Sequence, residues 1–417
     1  MTQTRDIDVA IIGGGIVGVA AAFKLLEAGR SVTVIDRKGI GEETSRGNAG
    51  GLAFSEVLPL ASSGMLRKLP KWLSDPLGPL TIPPAYLPQI TPWLLRFWRA
   101  GWPDKVKASI AAQGQLMRLA QAEMASLVRA AGIEHMIHPN GVLELYESVA
   151  ELKASEAGWA ARTREGIAFA HLRSPSELAI MQPGLSPRFV AGTFIPSWQQ
   201  VSDPYDFTLA IAEAARQRGA QLVVGEVTRI GLATDGVSLQ LANGQPLRAR
   251  QVVIAGGAWS KALAAQLGDS VPLETERGYN TTLPPGSFDL KRQLTFGSHG
   301  FVISPLTSGI RIGGAVELGG LELPPNFARA DAMLQKAKTF LPDLRTEGGK
   351  QWMGFRPSMP DSLPVIGASR RSPDIIYAFG HGHLGLTQSA ATGKLVAELL
   401  TGRPPSIDLS PLSPQRF

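Results

Sequence analysis

Asp8-Val-Ala-Ile-Ile-Gly-Gly-Gly-Ile-Val-Gly-Val-Ala-Ala-Ala-Phe-Lys-Leu25, followed by Val32-Thr-Val-Ile-Asp36, decides the fold. A short β-branched run enters a turn with Gly13-x-Gly15-x-x-Gly18, and an alanine-rich helix follows at once, which is the context this glycine fingerprint needs. Gly13 permits the tight turn, Gly15 lets the backbone approach a pyrophosphate, and Gly18 lets helix and strand pack closely. The first helical turn, Ile16 and Val17 included, offers unpaired N–H groups to phosphates. Asp36, with Arg37 beside it, ends the second strand, where a carboxylate accepts both hydroxyls of a ribose. The stretch reads as an adenine-dinucleotide site. These residues alone leave NAD and FAD both open.

With 417 residues the chain exceeds one hydrophobic core and is expected to form two domains. Its 44% hydrophobic and 18% charged content describes a packed globular protein. The 41 Lys+Arg against 35 Asp+Glu leave a net charge of +6, a modest excess that fits an anionic substrate or membrane surface better than nucleic acid. Cysteine is absent, which excludes disulfides, thiolate catalysis, iron–sulfur clusters and a cysteinyl flavin, and fits the cytoplasm. The apolar run Val9 to Phe23 lacks the basic preface of a signal peptide and is crowded with glycine, so it stays in the fold. No stretch reaches the ~20 unbroken apolar residues of a membrane span.

Outward from the opening unit, Gly39-Ile-Gly41-Glu-Glu-Thr-Ser-Arg-Gly-Asn-Ala-Gly-Gly51 is too glycine-rich for a regular element. Its backbone N–H groups, with Thr44, Ser45 and Asn48, suit phosphates and a flat ring; a plain solvent loop is the alternative. Leu58 to Lys107 mixes nine prolines with Trp72, Trp93, Trp98 and Trp102 and with seven Lys/Arg residues. Proline this dense forbids long helices, although Pro92 to Arg99 fits a short one. The segment reads either as a peripheral membrane contact or as a lid packed on the domain. A long amphipathic helix is expected over 108–131, stopped by Gly132. A strand over 142–146, a helix near 150–163 and a proline-bearing loop follow. Asp203 opens a helix to Arg218, and Leu222 to Ile230 reads as one strand. Val237–Leu241 and Ala249–Ala255 form a hairpin around Asn243-Gly244, leading to Gly256-Gly257-Ala-Trp259, a second close approach to the cofactor. Strands near Glu276, Gly300 and Ile310 and a helix over 330–340 form a second sheet domain. The pairs His135/His138 and His381/His383 lack carboxylates at ligand spacing, so no metal site is expected.

The Gly13–Gly18 turn with Asp36, the Ala255-Gly-Gly-Ala-Trp259 strand end, Gly354-Phe-Arg-Pro-Ser-Met-Pro-Asp361 and Gly380-His-Gly-His-Leu-Gly-Leu-Thr387 resemble, in this order, the FAD-dependent D-amino acid oxidase superfamily. The likeness runs nearly the whole chain and is strongest to its bacterial D-amino acid dehydrogenases. It implies an α/β fold: a three-layer Rossmann-like FAD domain (1–57, 197–272, 352–417) interleaved with an α+β substrate domain with a mostly antiparallel sheet (58–196, 273–351). It implies non-covalent FAD held by Gly13, Gly15, Gly18, Asp36, Ser45, Asn48, Ala49, Gly50, Val227, Gly256 and Gly257, with His383, Leu384, Gly385, Leu386 and Thr387 near the flavin. Gly51, Thr44, Arg37 and Trp259 join this set as neighbours in the same motifs.

Arg356 matches the superfamily arginine that clamps a substrate carboxylate, and a planar guanidinium is the fitting bidentate partner for one. Its alternative is an ion pair with Asp361. Tyr279 matches the Arg-Gly-Tyr stretch of relatives, and His299 and Ser304 are expected to face the same cavity. The resemblance implies oxidation of an amino acid by hydride transfer to flavin, with no dedicated base and with electrons passed to a quinone or the respiratory chain. A cytoplasmic protein, peripheral on the inner membrane face through 58–107, is the expected location. A cyclic or N-methylated substrate such as cis-4-hydroxy-D-proline, D-proline or sarcosine, a non-catalytic flavoprotein subunit and an NAD module are the competing readings. Oligomeric state is not legible.

Overall fold

The computed structural model of the chain describes residues 6–61 and 78–417. The expectations for Arg67, Lys68, Pro70, Lys71, Trp72 and Pro76 lie outside the described residues. In chain order, β1 (Asp6–Ile12), α1 (Ile16–Glu27) and β2 (Val32–Asp36) form the opening unit, followed by the short β3 (Gly51–Leu52) and β4 (Leu80–Thr81). Next come α2 (Leu87–Ala100), α3 (Pro103–Ala131), β5 (Ile137–His138), β6 (Val142–Tyr146), α4 (Val149–Arg164), β7 (Ala170–Leu172), α5 (Pro175–Met181), β8 (Ala191–Ile195) and β9 (Gln199–Val201). The middle holds α6 (Pro204–Gln217), β10 (Gln221–Val224), β11 (Val227–Ala233), β12 (Gly236–Leu241), β13 (Pro246–Ile254) and α7 (Ser260–Gln266). The last third contains β14 (Glu274–Leu283), β15 (Gln293–Phe296), β16 (Phe301–Leu306), β17 (Gly309–Glu317), α8 (Ala328–Phe340), β18 (Lys350–Ser358), β19 (Val365–Ser369), β20 (Ser372–Phe379) and α9 (Gly385–Leu400).

The first sheet runs β10-β2-β1-β13, and β13 then carries β12–β11 at one end and β20–β19 at the other. β10, β2, β1, β13 and β20 are mutually parallel, so their carboxyl ends share one edge. β1 is buried between its neighbours, hence its near-continuous apolar run. On one face α1, α3, α6 and α9 share a core with Phe23, Leu116, Phe207 and Leu395; on the other, α7 packs with β11 to β13. α1 and α9 approach so closely that a Cβ on Gly393 would lie 2.7 Å from the Ala20 carbonyl oxygen.

The second sheet, β18-β14-β17-β16-β15-β6-β8-β7, is antiparallel except for β15–β6 and the added β4. α8 covers one face, burying Phe296, Phe301 and Phe340. The fold class, a Rossmann-like layer interleaved with a mostly antiparallel sheet domain, is as expected. β18 belongs to this second sheet through its ladder with β14, so the chain returns to the first sheet after Ser358 rather than at 352. Likewise α3 lies in the first core.

Three local expectations are corrected. Leu87–Ala100 is a long helix despite its prolines, and the helix expected over 108–131 starts earlier, at Pro103. Pro88 and Pro103 occupy first-turn positions, where the missing N–H costs nothing, and only Pro92 interrupts a helix interior. Pro175 starts a short helix in the same way, with Ser174 accepting from the Glu177 N–H. The run from Leu222 splits at Gly225-Glu226 into β10, parallel to β2, and β11, antiparallel to β12. Gly132, at φ 69°, caps α3 as expected. No helix among the described residues is long and apolar enough to cross a membrane.

Candidate active site

A cleft of about 390 Å³ follows the carboxyl edge of the first sheet. Ile12 ends β1 there, Asp36 ends β2, Gly225 follows β10, Gly256 follows β13 and Phe379 ends β20. Ligands of open parallel sheets sit at this edge, because the following helices point their N-termini into it. Here α1 and α9 both do so: Gly15, Ile16 and Val17 line the cleft from one side, Gly385 and Leu386 from the other.

Two glycines of the opening turn, Gly13 and Gly18, are required by contact. Gly13 has φ 114°, and a Cβ on it would lie 2.4 Å from the Ala255 carbonyl oxygen. A Cβ on Gly18 would lie 1.9 Å from the Gly13 carbonyl oxygen, so Gly18 does not line the cleft but sets the α1–β1 distance. Asp36 accepts from Gly14 N at 2.7 Å, and from Lys38 N and Gly39 N at 2.9 and 3.1 Å. It therefore locks the turn as well as facing the cleft. Ser45 Oγ accepts from Ile16 N at 2.9 Å, taking up one N-terminal N–H of α1.

Of the other cofactor candidates, Thr44, Asn48, Val227, Gly257 and Trp259 line the cleft with Arg37. The Arg37 guanidinium stacks 3.8 Å over the Trp259 ring and pairs with Glu43 at 2.7 Å, so cation and indole form one wall. Ala49, Gly50 and Gly51 turn the other way. Gln200 Nε2 donates to Ala49 O, Gly50 accommodates Gln200, and Gly51 lies in β3 on β9 with Gln293 against it. Their glycines serve the seam between the two sheets.

At the far end, Leu384 is the N-cap residue of α9. Thr387 Oγ1 accepts from Ala53 N at 2.9 Å, tying the helix to the segment after β3 instead of facing the cleft. His381 is buried, shares a 2.9 Å hydrogen bond with Thr392 and is pushed down to about 3 by burial, which keeps it neutral. His383 is exposed and borders a small cavity lined also by Ser358, Met359 and Leu58. Desolvation by the protein around it lowers its pKa, Glu276 and Glu56 oppose that shift, and Arg356 adds to it.

Arg356 sits at the same end, between Phe355, whose carbonyl accepts from Thr44 Oγ1 at 2.6 Å, and Pro357, which lines the cleft. Asp361 pairs with Arg416 at 2.7 Å, so the ion-pair alternative for Arg356 is removed. Its Nη1 donates to Ala315 O at 3.0 Å and its Nη2 to Gly314 O at 3.4 Å; Arg356 makes no ion pair among the described residues. The guanidinium lies flat on Gly278, where a Cβ would meet its Cζ at 2.4 Å. Ala315, at φ 51°, holds a strained left-handed conformation at the β14–β17 register shift and so delivers its carbonyl. Burial lowers the Arg356 pKa while Glu276 opposes the shift.

The other three expected substrate residues do not join Arg356. Strand alternation turns Tyr279 to the face of β14 opposite Gly278, into the α8 core, and its hydroxyl donates to Glu317 at 2.5 Å. His299 is occupied by Glu147, 2.6 Å away at the turn before β16. Ser304 is buried and donates to Gln293 Oε1 at 3.2 Å, beneath the 46–51 loop. Sequence reasoning missed Glu276, which faces Arg356 across the β14–β18 ladder. Its signal was parity: Glu276 and Gly278 share a strand face.

Residues 8–399 match the family model described as DAO, FAD dependent oxidoreductase. The chain is 38% identical to a protein of Bradyrhizobium diazoefficiens named D-amino-acid oxidase, over 98% of each chain. It is 31% identical to a D-amino acid dehydrogenase of the same organism, again over 98% of each. Among solved structures, glycine oxidase from Geobacillus kaustophilus superposes with a TM-score of 0.78 at 24% identity, covering 99% of this chain and 100% of that one. L-proline dehydrogenase from P. horikoshii superposes with a TM-score of 0.73 at 20% identity, covering 100% and 98%. At these identities the two structural likenesses bear on the fold alone.

Proposed function

The chain belongs to the DAO family of FAD-dependent oxidoreductases, and on that premise we propose that it oxidises D-amino acids at the α-carbon, giving an imino acid that hydrolyses to a 2-oxo acid and ammonia. The observation that carries this reading is Arg356, a guanidinium seated on Gly278 with its carbonyl anchors on one side and no ion pair among the described residues. A half-buried cation of this kind is completed by a carboxylate it binds reversibly.

Gly13, Gly15, Ile16, Val17 and Asp36, which line the cleft, would hold the adenosine and pyrophosphate half of FAD, with Arg37 and Trp259 as a wall. Gly385 and Leu386, at the positive end of α9, would lie against the flavin half. FAD, when bound, would supply the electron sink for oxidation at the α-carbon. Arg356 fixes the carboxylate and so aims the Cα–H; the gain is orientation. Neutral His381 adds no charge that competes with Arg356 for the carboxylate.

The test is anaerobic flavin bleaching by a panel of D- and L-amino acids, D-proline, cis-4-hydroxy-D-proline, glycine and sarcosine, followed by reoxidation with oxygen or a quinone analogue. Bleaching by D-amino acids and slow or absent bleaching by L-enantiomers are expected. Activity confined to N-methylated or cyclic amines would overturn the reading. Preferential reoxidation by quinone separates dehydrogenase from oxidase.

An acceptor in the membrane is favoured by α2. Its inner face buries Ile90 and Trp93 against Leu318, while Leu95, Trp98 and, just beyond it, Trp102 are exposed beside Arg96 and Lys105. Apolar and basic side chains on one outer face suit an anionic lipid surface. Liposome flotation should therefore require anionic lipid and weaken with salt; protein that stays at the bottom of the gradient in every condition assigns α2 to a lid.

A further inference from the structure

The loop after β2 is gripped from the second sheet along its carbonyl side. Arg311 of β17 donates from Nη1 to Asn48 O at 2.6 Å and to Arg46 O at 3.2 Å, and Asn280 Nδ2 of β14 donates to Gly47 O at 3.0 Å. Trp352 of β18 lies so close to Gly47 that a Cβ there would fall 2.0 Å from its ring. Three successive peptides thus turn their carbonyls to the second sheet. Each is trans, so the N–H groups of Gly47, Asn48 and Ala49 point the opposite way, to the side where Thr44, Ser45 and Asn48 line the cleft. None of the three donates to a protein group among the described residues. Arg311 is buried, and its other contacts hold the fork in place. Nε donates to Thr282 Oγ1 at 3.0 Å, and Nη2 lies 3.9 Å from Asp203, a carboxylate already bonded to Ser308 Oγ and Tyr205 N. Burial lowers the Arg311 pKa and Asp203 opposes the shift. A buried cation whose partners are mostly carbonyls costs stability, so packing alone does not account for it.

We propose that Arg311 is a positioning residue for the flavin: it aims and polarises the N–H groups of residues 47–49 so that they stabilise the negative charge the ring gains on reduction. This rests on the proposed oxidation at the α-carbon by FAD in this cleft. The balance is FAD plus hydride giving FADH⁻: two electrons and one proton arrive, and one negative charge remains. A guanidinium bonded to a carbonyl polarises that peptide and makes its N–H a stronger donor. Successive backbone N–H groups form an anion-binding concavity, and groups fixed before the charge appears need no reorganisation when it does. The same strand carries both parts of the site, because Gly314 and Ala315, farther along β17, hold Arg356 by their carbonyls. The substrate clamp and the flavin loop thus hang on one rigid element.

The test is Arg311→Leu in the flavin-loaded enzyme, read by the midpoint potential of the bound flavin and by the flavin retained after dialysis. The potential should fall by about 30 mV, the two-electron equivalent of a tenfold selective loss of affinity for the reduced form. A packing role would weaken oxidised and reduced FAD alike, so an unmoved potential overturns the proposal whatever happens to retention. In anaerobic stopped flow the limiting rate of reduction by D-alanine should drop several-fold while the apparent dissociation constant of D-alanine holds, because Arg356 keeps both carbonyls. A loss confined to that dissociation constant overturns it. If Arg311→Leu retains no flavin, Asn280→Ala replaces it, since it frees only the Gly47 carbonyl; a selective loss of about threefold, or about 15 mV, is expected, and an unmoved potential again overturns the proposal. Ser369→Ala, which removes a buried hydrogen bond to Asp269 on β19, is the control for destabilisation. It should lower the melting temperature and leave the potential alone; an equal fall in potential there overturns the proposal. Wild-type flavin that no amino acid reduces defeats the parent reading and leaves the potential to be measured with a chemical reductant; an active wild type with an unshifted variant defeats this one alone.

Discussion

Replacing Arg356 with leucine is expected to leave flavin bound and to lower kcat/KM for the amino-acid substrate by roughly 10²- to 10³-fold, about 3–4 kcal/mol. The size follows from what is lost: a charge-assisted bidentate contact, and with it the orientation of the Cα–H. Cofactor retention should persist because Arg356 stands outside the glycine turn and the Arg37–Trp259 wall that hold the other half of the cleft. Stability should fall slightly, since the carbonyls of Ala315 and Gly314 lose their donor. Arg356→Lys should recover little, because a point charge cannot span both carboxylate oxygens. Stopped-flow reduction over substrate concentration, with flavin content measured on the same preparation, checks both halves; unchanged kinetics removes the clamp from the account.

Gly18→Val should do the reverse, abolishing flavin retention before any question of turnover arises. A Cβ there falls 1.9 Å from the Gly13 carbonyl oxygen, a backbone atom that cannot swing aside, so α1 must leave β1. The helix N-terminus and the turn would separate, at a cost above about 4 kcal/mol. Asp36→Ala is the milder companion. It removes the acceptor of three backbone N–H groups and the ribose contact without a clash, so flavin should be retained on purification yet lost on dialysis. The ratio of flavin to protein absorbance, with the melting temperature, separates the two outcomes; full flavin in Gly18→Val would refute the packing argument.

What could be read from the chain alone was what short-range geometry dictates. Gly13 to Gly18 and Asp36 form one local unit whose pattern needs no knowledge of the rest, and the N-cap residue Asp203 marks its helix. Arg356 stood out through its motif and through the fitness of guanidinium for carboxylate, and its role as clamp is the proposal tested above. Tyr279, His299 and Ser304 were not, because each depends on which face of the second sheet turns toward the cleft. That face is set by the β14–β17 register shift and by α8 covering the other side, both long-range facts. The prolines around α2 misled for the opposite reason: their position within the helical turn matters more than their number. Glu276 went unseen because its meaning lies across a ladder to a residue eighty positions later.

The first sheet also dictates an order of events on the ribosome. β1 finds β2 almost at once, but its other flank waits for β13, where Ile12 meets Ile254, and β20 and α9 arrive only with the last tenth or so of the described chain. Until then the apolar strand Val9–Ile12 has one open edge and the helices that frame the cleft are incomplete. Contacts this distant in sequence make folding slow and expose strand edges meanwhile. The nascent polypeptide therefore has no finished pocket to offer, and cofactor loading is a step that follows synthesis. Yield of active enzyme from a fast expression host should be governed by that interval more than by flavin supply.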